Sequence, residues 1–221
     1  MDEEKLKKSI IRRKKADSSV VAESLVMGKH IKEILQDDED VFGYTMGRIS
    51  LIDIVELCVA ETGGDCHMVS SVWSLSQPDV FRLAALRDSG AMPLCQFIID
   101  PSAYTRKQQS VEVLYHFFGE EAVRTVNTHA KFVVLRGKKK ALSIISSMNF
   151  TRNPRIEQFQ ILHGDDIADL TATMVDDIFE KYTTEDNFTT QSKHAFERIR
   201  KGGDGKNLDG IELSLSTFSA L

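Results

Sequence analysis

The run MPLCQFIID at positions 92–100 constrains the fold more than any other feature of the sequence, because it is largely apolar from end to end. Such a run is typical of a strand that is buried on both faces, and strands of that kind lie in sheets that helices cover on both sides. The sequence therefore predicts a sheet with helices packed on it, rather than a sheet with one face in water.

Segments with helical character surround this strand. Apolar residues recur at helical spacing after Ser50 and again after Ser76, and each serine is suited to cap a helix. CHMVSSVWS at 66–74 predicts a strand between the two helices, and residues 108–118 predict a third helix. Alternation of helix and strand indicates an α/β fold with a mixed sheet flanked by helices on both faces.

The second half of the chain predicts a β-hairpin. KFVVL at 131–135 and ALSII at 141–145 are β-rich runs, and the charged segment RGKKK joins them as a turn. QFQIL at 158–162 predicts a further strand, and Asp165 or Asp166 is expected to cap the helix that follows it.

Three regions follow from these patterns. Residues 1–45 are predicted as a charged N-terminal arm or helix, since seven positive charges fall within the first fifteen residues. Residues 46–183 are predicted as the α/β domain. Residues 184–221 are predicted as a C-terminal helix and a flexible tail, because KGGDGKNLDG is polar and rich in glycine.

Composition excludes several classes of protein. No stretch of about 18 apolar residues is present, so no membrane-spanning helix is expected. The charged N-terminus lacks the apolar region of a secretory signal, which leads us to expect a cytoplasmic protein. The three cysteines have no C-x-x-C spacing, so we expect buried thiols. A net charge of −5 disfavours a role in coating nucleic acid.

The predicted hairpin carries four polar residues in two pairs. His129 and Lys131 are two residues apart on one predicted strand, and Ser147 and Asn149 are two residues apart at the end of the other. Residues i and i+2 of a strand share a face. If the two strands pair, we expect all four side chains to meet at one end of the sheet.

This set of side chains suits a phosphoryl group. Lys131 supplies positive charge, Ser147 and Asn149 supply neutral donors to phosphate oxygens, and His129 can attack phosphorus or carry a proton. The segment TRNPRIE adds two cations and a carboxylate that could orient the histidine, namely Arg152, Arg155 and Glu157. The cations are protein side chains, so neither a metal nor another cofactor is expected.

HAKFVVL and SSMNFTRNPRIE together resemble the signature of the phospholipase D superfamily, H-x-K-x4-D-x6-G-S-x-N with a glutamate downstream. The resemblance covers residues 129–157 and implies a phospholipase D-like fold. It also implies that His129 is the nucleophile, that Glu157 is a supporting carboxylate, and that three residues bind phosphate: Lys131, Ser147 and Asn149.

The chain departs from this signature at three points. Arg136 stands where the family has its aspartate, and Ser146 stands where the family has glycine. The interval from Lys131 to Asn149 is also three residues longer, which a longer hairpin turn would absorb. Loss of the aspartate, a supporting residue in the family, weakens the case for activity without removing the four central residues.

The signature occurs once, because no other histidine of the chain has a lysine two residues later. Family chemistry uses two histidines, so the resemblance implies a homodimer in which two copies of His129 share one site. The resulting prediction is a metal-independent phosphodiesterase, in particular a nuclease acting on DNA or RNA. Two alternatives stay open: a catalytically impaired protein that binds nucleic acid, and a scaffold or assembly protein.

Two further residues are interpreted from their position alone. Trp73 lies in a strand-like run and is predicted to be part of the core. Asp100 closes a strand, and the ends of strands in α/β sheets often face the site, so Asp100 is expected to support it.

Overall fold

A single mixed sheet organises the computed structural model, which describes residues 9–13, 19–22, 24–186 and 188–200. Within these residues the strands are β1 (Ser9–Arg13), β2 (Ser19–Ala22), β3 (Val41–Met46), β4 (His67–Val72), β5 (Leu94–Ile99), β6 (Val123–Thr125), β7 (Phe132–Arg136), β8 (Ala141–Ser146) and β9 (Ile156–His163). The α-helices are α1 (Ser24–Gln36), α2 (Leu51–Glu61), α3 (Gln77–Asp88), α4 (Ala103–Arg106), α5 (Gln108–Phe118), α6 (Asp165–Lys181) and α7 (Thr190–Arg200).

The strand order is β2-β1-β3-β9-β8-β7-β4-β5-β6. β4 pairs with β5 and β5 with β6 in parallel, whereas the remaining pairs are antiparallel. The predicted hairpin forms from β7 and β8, with Phe132 opposite Ile145 and Arg136 opposite Ala141. The hairpin lies at the centre of the sheet, because β9 pairs with β8 and β4 pairs with β7.

Caps place two of the helices where the sequence predicts them. Ser50 accepts a hydrogen bond from the backbone N–H of Asp53, whose carboxylate accepts one from the N–H of Ser50, which makes a capping box. Ser76 caps α3 in the same way through the N–H of Asp79. α6 begins at Asp165, but its cap is Gly164 with φ of 104°, a conformation that favours glycine.

The two faces of the sheet are covered unequally. One large core contains residues of α1, α2, α3, α5 and α7 packed on the strands. The opposite face carries α6 alone among the described helices, through two small clusters in which Val175 packs near Val69 and Ile98, and Ala168 packs near Val134. Helices therefore cover both faces, but α6 leaves part of its face open.

The N-terminal region contributes to the sheet. Residues 9–13 and 19–22, expected in a charged arm, form β1 and β2, and α1 and most of β3 also lie within the predicted 1–45 region. The C-terminal helix predicted within residues 184–221 is α7. The predicted tail after residue 200 lies outside the described residues, as does most of the basic N-terminal cluster.

The thiols of Cys58, Cys66 and Cys95 are free and buried, as predicted. Burial raises the pKa of the Cys66 thiol to about 11 and that of Cys95 to about 12. Within the described residues, no helix has both the length and the apolar character needed to cross a bilayer.

Replacing Leu135 with alanine should destabilise the protein by roughly 2–5 kcal/mol, because its side chain is 0% exposed in the central strand β7 and the deletion leaves a cavity. Leu94→Ala is the matched control, since Leu94 is 54% exposed and should change stability by less than about 0.5 kcal/mol. Chemical denaturation measures both. Equal losses for the two variants would contradict this description of the core.

Candidate active site

The predicted polar residues gather at one end of the sheet. β4, β5 and β8 end there, while β7 and β9 begin there, as the registers of Ser71 with Phe132 and of Ser146 with Phe159 show. The segments that leave and enter these strands carry the site, so its side chains come from loops anchored on the centre of the sheet.

His129 and Lys131 lie in contact just before β7. The Lys131 Nζ donates to the His129 carbonyl oxygen at 3.0 Å and lies 3.5 Å from each ring nitrogen of that histidine. The prediction that both residues lie on the strand is wrong, since β7 begins at Phe132. Their side chains are in contact through the Lys131 ammonium, although neither residue lies on the strand.

A hydrogen-bond network fixes the segment that carries His129. The Thr128 N–H donates to the Asp100 carboxylate at 3.4 Å, and the Ala130 N–H donates to the Thr128 hydroxyl at 3.1 Å. Ser71, at the end of β4, donates through its hydroxyl to the Ala130 carbonyl oxygen at 3.1 Å. Asp100 thus supports the site, as expected, by holding the residue that precedes His129.

Ser147 and Glu157 form a second contact pair. The Ser147 hydroxyl donates to the Glu157 carboxylate in a short hydrogen bond, and it accepts the Gln158 N–H at 3.0 Å. Glu157 was predicted to orient His129, whereas its hydrogen bond in this structure goes to Ser147. Its charge nevertheless acts on Lys131, so the two contact pairs belong to one electrostatic cluster.

Asn149 joins two strands that are not neighbours. Its side-chain oxygen accepts the backbone N–H groups of Trp73 at 3.0 Å and Ser74 at 3.1 Å, just beyond the end of β4. The oxygen is thereby committed to the protein, and the amide NH2 is the part of the side chain left to donate to a ligand. The next residue reinforces the link, because the Ser76 N–H donates to the Phe150 carbonyl oxygen at 2.7 Å.

Arg152 and Arg155 are exposed in the loop between β8 and β9. This loop packs against Gly47, where an added Cβ would lie 2.5 Å from the Cα of Pro154. Gly47 also has φ of 77°, so both the space and the backbone favour glycine. Arg152 lies near enough to Asp79 to lower the pKa of that carboxyl, although burial outweighs it and raises the pKa overall.

Sequence reasoning missed two residues beside His129. The Trp73 ring centroid lies 6.1 Å from that of His129, and the Arg106 guanidinium lies 4.9 Å from the centre of the indole. The prediction that Trp73 belongs to the core is wrong, since its side chain is only partly buried. Its position directly after a central strand is the signal that could have identified it, as it did for Asp100.

Arg136, which replaces the aspartate of the signature, lies away from this cluster. It ends β7, about 16 Å along the strand from Lys131 at roughly 3.3 Å per residue, and it pairs with Asp169 of α6. Arg136 lines a separate cavity of about 440 Å³ with Lys138, Lys140 and His163. That cavity is a weaker candidate site, because its lysines are also paired with carboxylates.

The charge of Lys131 is influenced in two opposite ways. Partial burial lowers the pKa of its ammonium, and the nearby Glu157 carboxylate opposes that effect. Among the described residues, no three histidines, cysteines or carboxylates cluster in a way that could hold a metal ion. The positive charge available to a ligand in this part of the structure comes from side chains.

Comparison with known proteins shows the fold. No family model and no curated protein sequence matches the chain. Among solved structures, the polyphosphate kinase of Porphyromonas gingivalis matches with a TM-score of 0.51 at 12% identity, over 79% of this chain and 34% of the kinase. The phosphatidylserine synthase of Haemophilus influenzae Rd KW20 matches with a TM-score of 0.41 at 10% identity, over 91% of this chain and 46% of the synthase.

The chain thus spans about a third of the polyphosphate kinase and under half of the synthase. At 12% identity the likeness to the kinase concerns the fold alone. The predicted fold class, a mixed α/β sheet with helices on both faces, is confirmed.

Replacing Glu157 with glutamine should lower the pKa of Lys131, because the substitution removes the negative charge that opposes desolvation. NMR titration of the Lys131 side-chain Cε resonance measures this pKa directly. Glu180→Gln, on the exposed end of α6, is the control and should leave it unchanged. A Lys131 pKa that rises or stays constant in the Glu157 variant would contradict the coupling.

Proposed function

We propose that this protein is a metal-independent phosphodiesterase of the phospholipase D type, that it cleaves nucleic acid, and that two copies of the chain complete one site. The observation that carries the proposal is the contact of His129 with Lys131 beside the Asn149 amide and the Ser147–Glu157 pair. These are the side chains that the resemblance to the phospholipase D superfamily implies, and they lie at the end of the central strands of a phospholipase D-like sheet.

The side chains divide the reaction among them. Lys131 and the Asn149 NH2 bind the non-bridging phosphate oxygens, and the His129 imidazole forms a P–N bond as the bond to the leaving oxygen breaks. A second histidine donates a proton to that oxygen. Water then attacks phosphorus and returns a proton to the second histidine, while the P–N bond breaks and frees His129.

Local charge supports a nucleic-acid substrate. The chain has a net charge of −5, yet exposed cations lie on the two segments that adjoin the site, namely Arg106 and Lys107 after β5 and Arg152 and Arg155 between β8 and β9. A polyanion that reaches His129 meets these cations on neighbouring phosphates, where each contact releases counterions and adds affinity. A positive border of this kind suits a substrate with several phosphates in a row.

The second histidine is supplied by a second copy in this proposal, and an open apolar surface supports it. Cross-strand registers place Phe42, Tyr44, Ile145 and Ile156 on the α6 side of the sheet, beyond the area that α6 covers. Tyr44, Ile145 and Ile156 are 38%, 39% and 59% exposed. Exposed apolar side chains grouped on one face in this way, here with Gln158 and Gln160 of β9 between them, mark an interaction surface.

α6 extends the same surface. Ile167, Leu170 and Met174 recur at helical spacing and are exposed, Leu170 by 72%. On the other flank of α6, Asp169 pairs with Arg136 of β7 and Asp176 lies near His67 of β4. The three apolar residues therefore face the β8–β9 side of the sheet. We call these three residues, with Phe42, Tyr44, Ile145 and Ile156, the open apolar face.

The open apolar face reaches the end of the sheet that carries the site. Ile145 is followed by Ser146 and Ile156 by Glu157, whose side chains alternate to the opposite face of the sheet. A two-fold axis at this end of the sheet would bring two sites toward each other. A self-complementary surface beside a half-complete site favours a second copy of the chain over an unrelated partner.

Arg136 gave the main reason to consider a catalytically impaired relative. Since Arg136 pairs with Asp169 at the other end of β7, the replacement leaves the side chains around His129 unaltered. We therefore favour the enzyme over the binding or scaffold alternatives.

His129→Ala should abolish cleavage of labelled DNA or RNA in EDTA, a loss of at least about a thousandfold in kcat/KM, because the nucleophile is removed. His116→Ala, on an exposed part of α5, is the matched control and should retain activity. Cleavage that requires a divalent ion, or that survives in the His129 variant, would contradict the mechanism.

Leu170→Asp should convert the dimer to a monomer, because it places a charge in the open apolar face, and analytical ultracentrifugation measures the change. Glu180→Asp, on an exposed position of the same helix, should stay dimeric.

Mixing equal amounts of wild type and His129→Ala, after subunit exchange, should leave about a quarter of the activity rather than about half, since each shared site needs two intact histidines. Activity proportional to the wild-type fraction would show an unshared site.

A further inference from the structure

We infer that Trp73 and Arg106 form a nucleobase-binding subsite beside His129, so that the substrate is single-stranded nucleic acid. The inference rests on the proposed phosphodiesterase function and names the substrate class of that site. Its basis is a pair of side chains that the reaction itself does not use.

Trp73 is held at the site by its backbone. Its N–H donates to the Asn149 side-chain oxygen at 3.0 Å, and its ring lies 6.1 Å from the ring of His129 with a tilt of 58° between their planes. A phosphate bound at His129 and Asn149 therefore has an indole within the reach of its own nucleoside. The indole is only partly buried, so it is open to a ligand.

Arg106 adds a cation to this aromatic surface. It ends α4, which follows Asp100 closely in the chain, and its exposed guanidinium lies 4.9 Å from the centre of the Trp73 ring. Nucleobases stack on aromatic rings and on guanidinium planes alike, because every base has a π face. The guanidinium lies over one face of the indole, so a base can stack on the exposed remainder of the indole or on the outer face of the guanidinium, whose positive charge also serves the adjoining phosphate.

A base can use this subsite only when it is unstacked from its neighbours. In a duplex, the bases are paired and enclosed between stacked neighbours, so a base beside the scissile phosphate reaches Trp73 only after leaving the helix. A single strand presents the same base at little cost. The position of Trp73 next to the nucleophile thus favours single strands over duplexes.

Binding can be tested without cleavage, because Trp73 is the only tryptophan of the chain and its fluorescence reports on the subsite. His129→Ala protein is titrated with a single-stranded oligothymidylate, with a duplex of equal length, with inorganic phosphate and with anionic phospholipid vesicles. We expect the single strand alone to quench the indole strongly, with a Kd at least about tenfold lower than that of the duplex. Equal quenching by the duplex, or quenching by anionic phospholipid vesicles and not by the oligonucleotide, overturns the inference.

Cleavage provides the second measurement. Trp73→Leu should lower kcat/KM for the single strand by about tenfold to a hundredfold, whereas Trp73→Phe should retain most of the activity because it retains a stacking surface. On a strand with an abasic residue beside the scissile phosphate, wild type and Trp73→Leu should cleave equally. An equal loss on both substrates would mean that Trp73 only positions Asn149, and would overturn the subsite.

The phosphodiesterase function and the nucleobase-binding subsite are disproved by different results. If wild type cleaves nucleic acid through His129 but is indifferent to Trp73 and to the missing base, the phosphodiesterase stands and the subsite falls. If no phosphodiester is cleaved, the enzyme falls, and the fluorescence titration alone decides whether the subsite binds a single strand.

Discussion

The side-chain oxygen of Asn149 links two strands that do not touch each other. β7 lies between β8 and β4 in the sheet, so the chain leaving β8 meets the end of β4 only by crossing the beginning of β7, and the Asn149 side chain and the Phe150 backbone both make this contact. Two backbone N–H groups converge on the Asn149 oxygen, and leaving such groups without a partner costs about 1–3 kcal/mol each. The link therefore holds the segment that follows β4, with Trp73, against the segment that follows β8.

The unequal covering of the sheet connects the fold to the proposed assembly. Helices from most of the chain pack on one face, where they build a large apolar core. The other face has α6 and two small clusters, which protect the strands around β7 and leave β9 and β3 uncovered. The covered face gives the domain its stability, and the sparsely covered face retains the apolar area available for association. The site lies between these two faces, at the ends of the central strands.

Much of the fold could be predicted from sequence because it depends on patterns that act locally. The run at 92–100, the serine caps of α2 and α3 and the β7–β8 hairpin are all encoded within a few residues of where they form. The polar residues of the site were predicted because their types and spacing are themselves unusual. The placement of His129 before the strand was not, since the point at which a strand begins depends on partners distant in sequence.

The errors at the site have the same origin. An aromatic residue in a strand-like run predicts a buried core position, whether its ring packs inward or lies at the end of the sheet. The core prediction for Trp73 was therefore wrong. Glu157 had two plausible partners, and only the pairing of β8 with β9 brings Ser147 to it. The position of Arg136 relative to α6 likewise depends on tertiary packing.

The pairing of β3 with β9 has a kinetic consequence, since Val41 lies opposite Ile161 across a separation of about 120 residues. Contacts this remote form slowly and late, so the sheet is incomplete until β9, in the last third of the sequence, has been synthesised. Until then, the edges of β3 and β8 lack the strand that pairs with both, and unpaired edges of this kind are sites of aggregation.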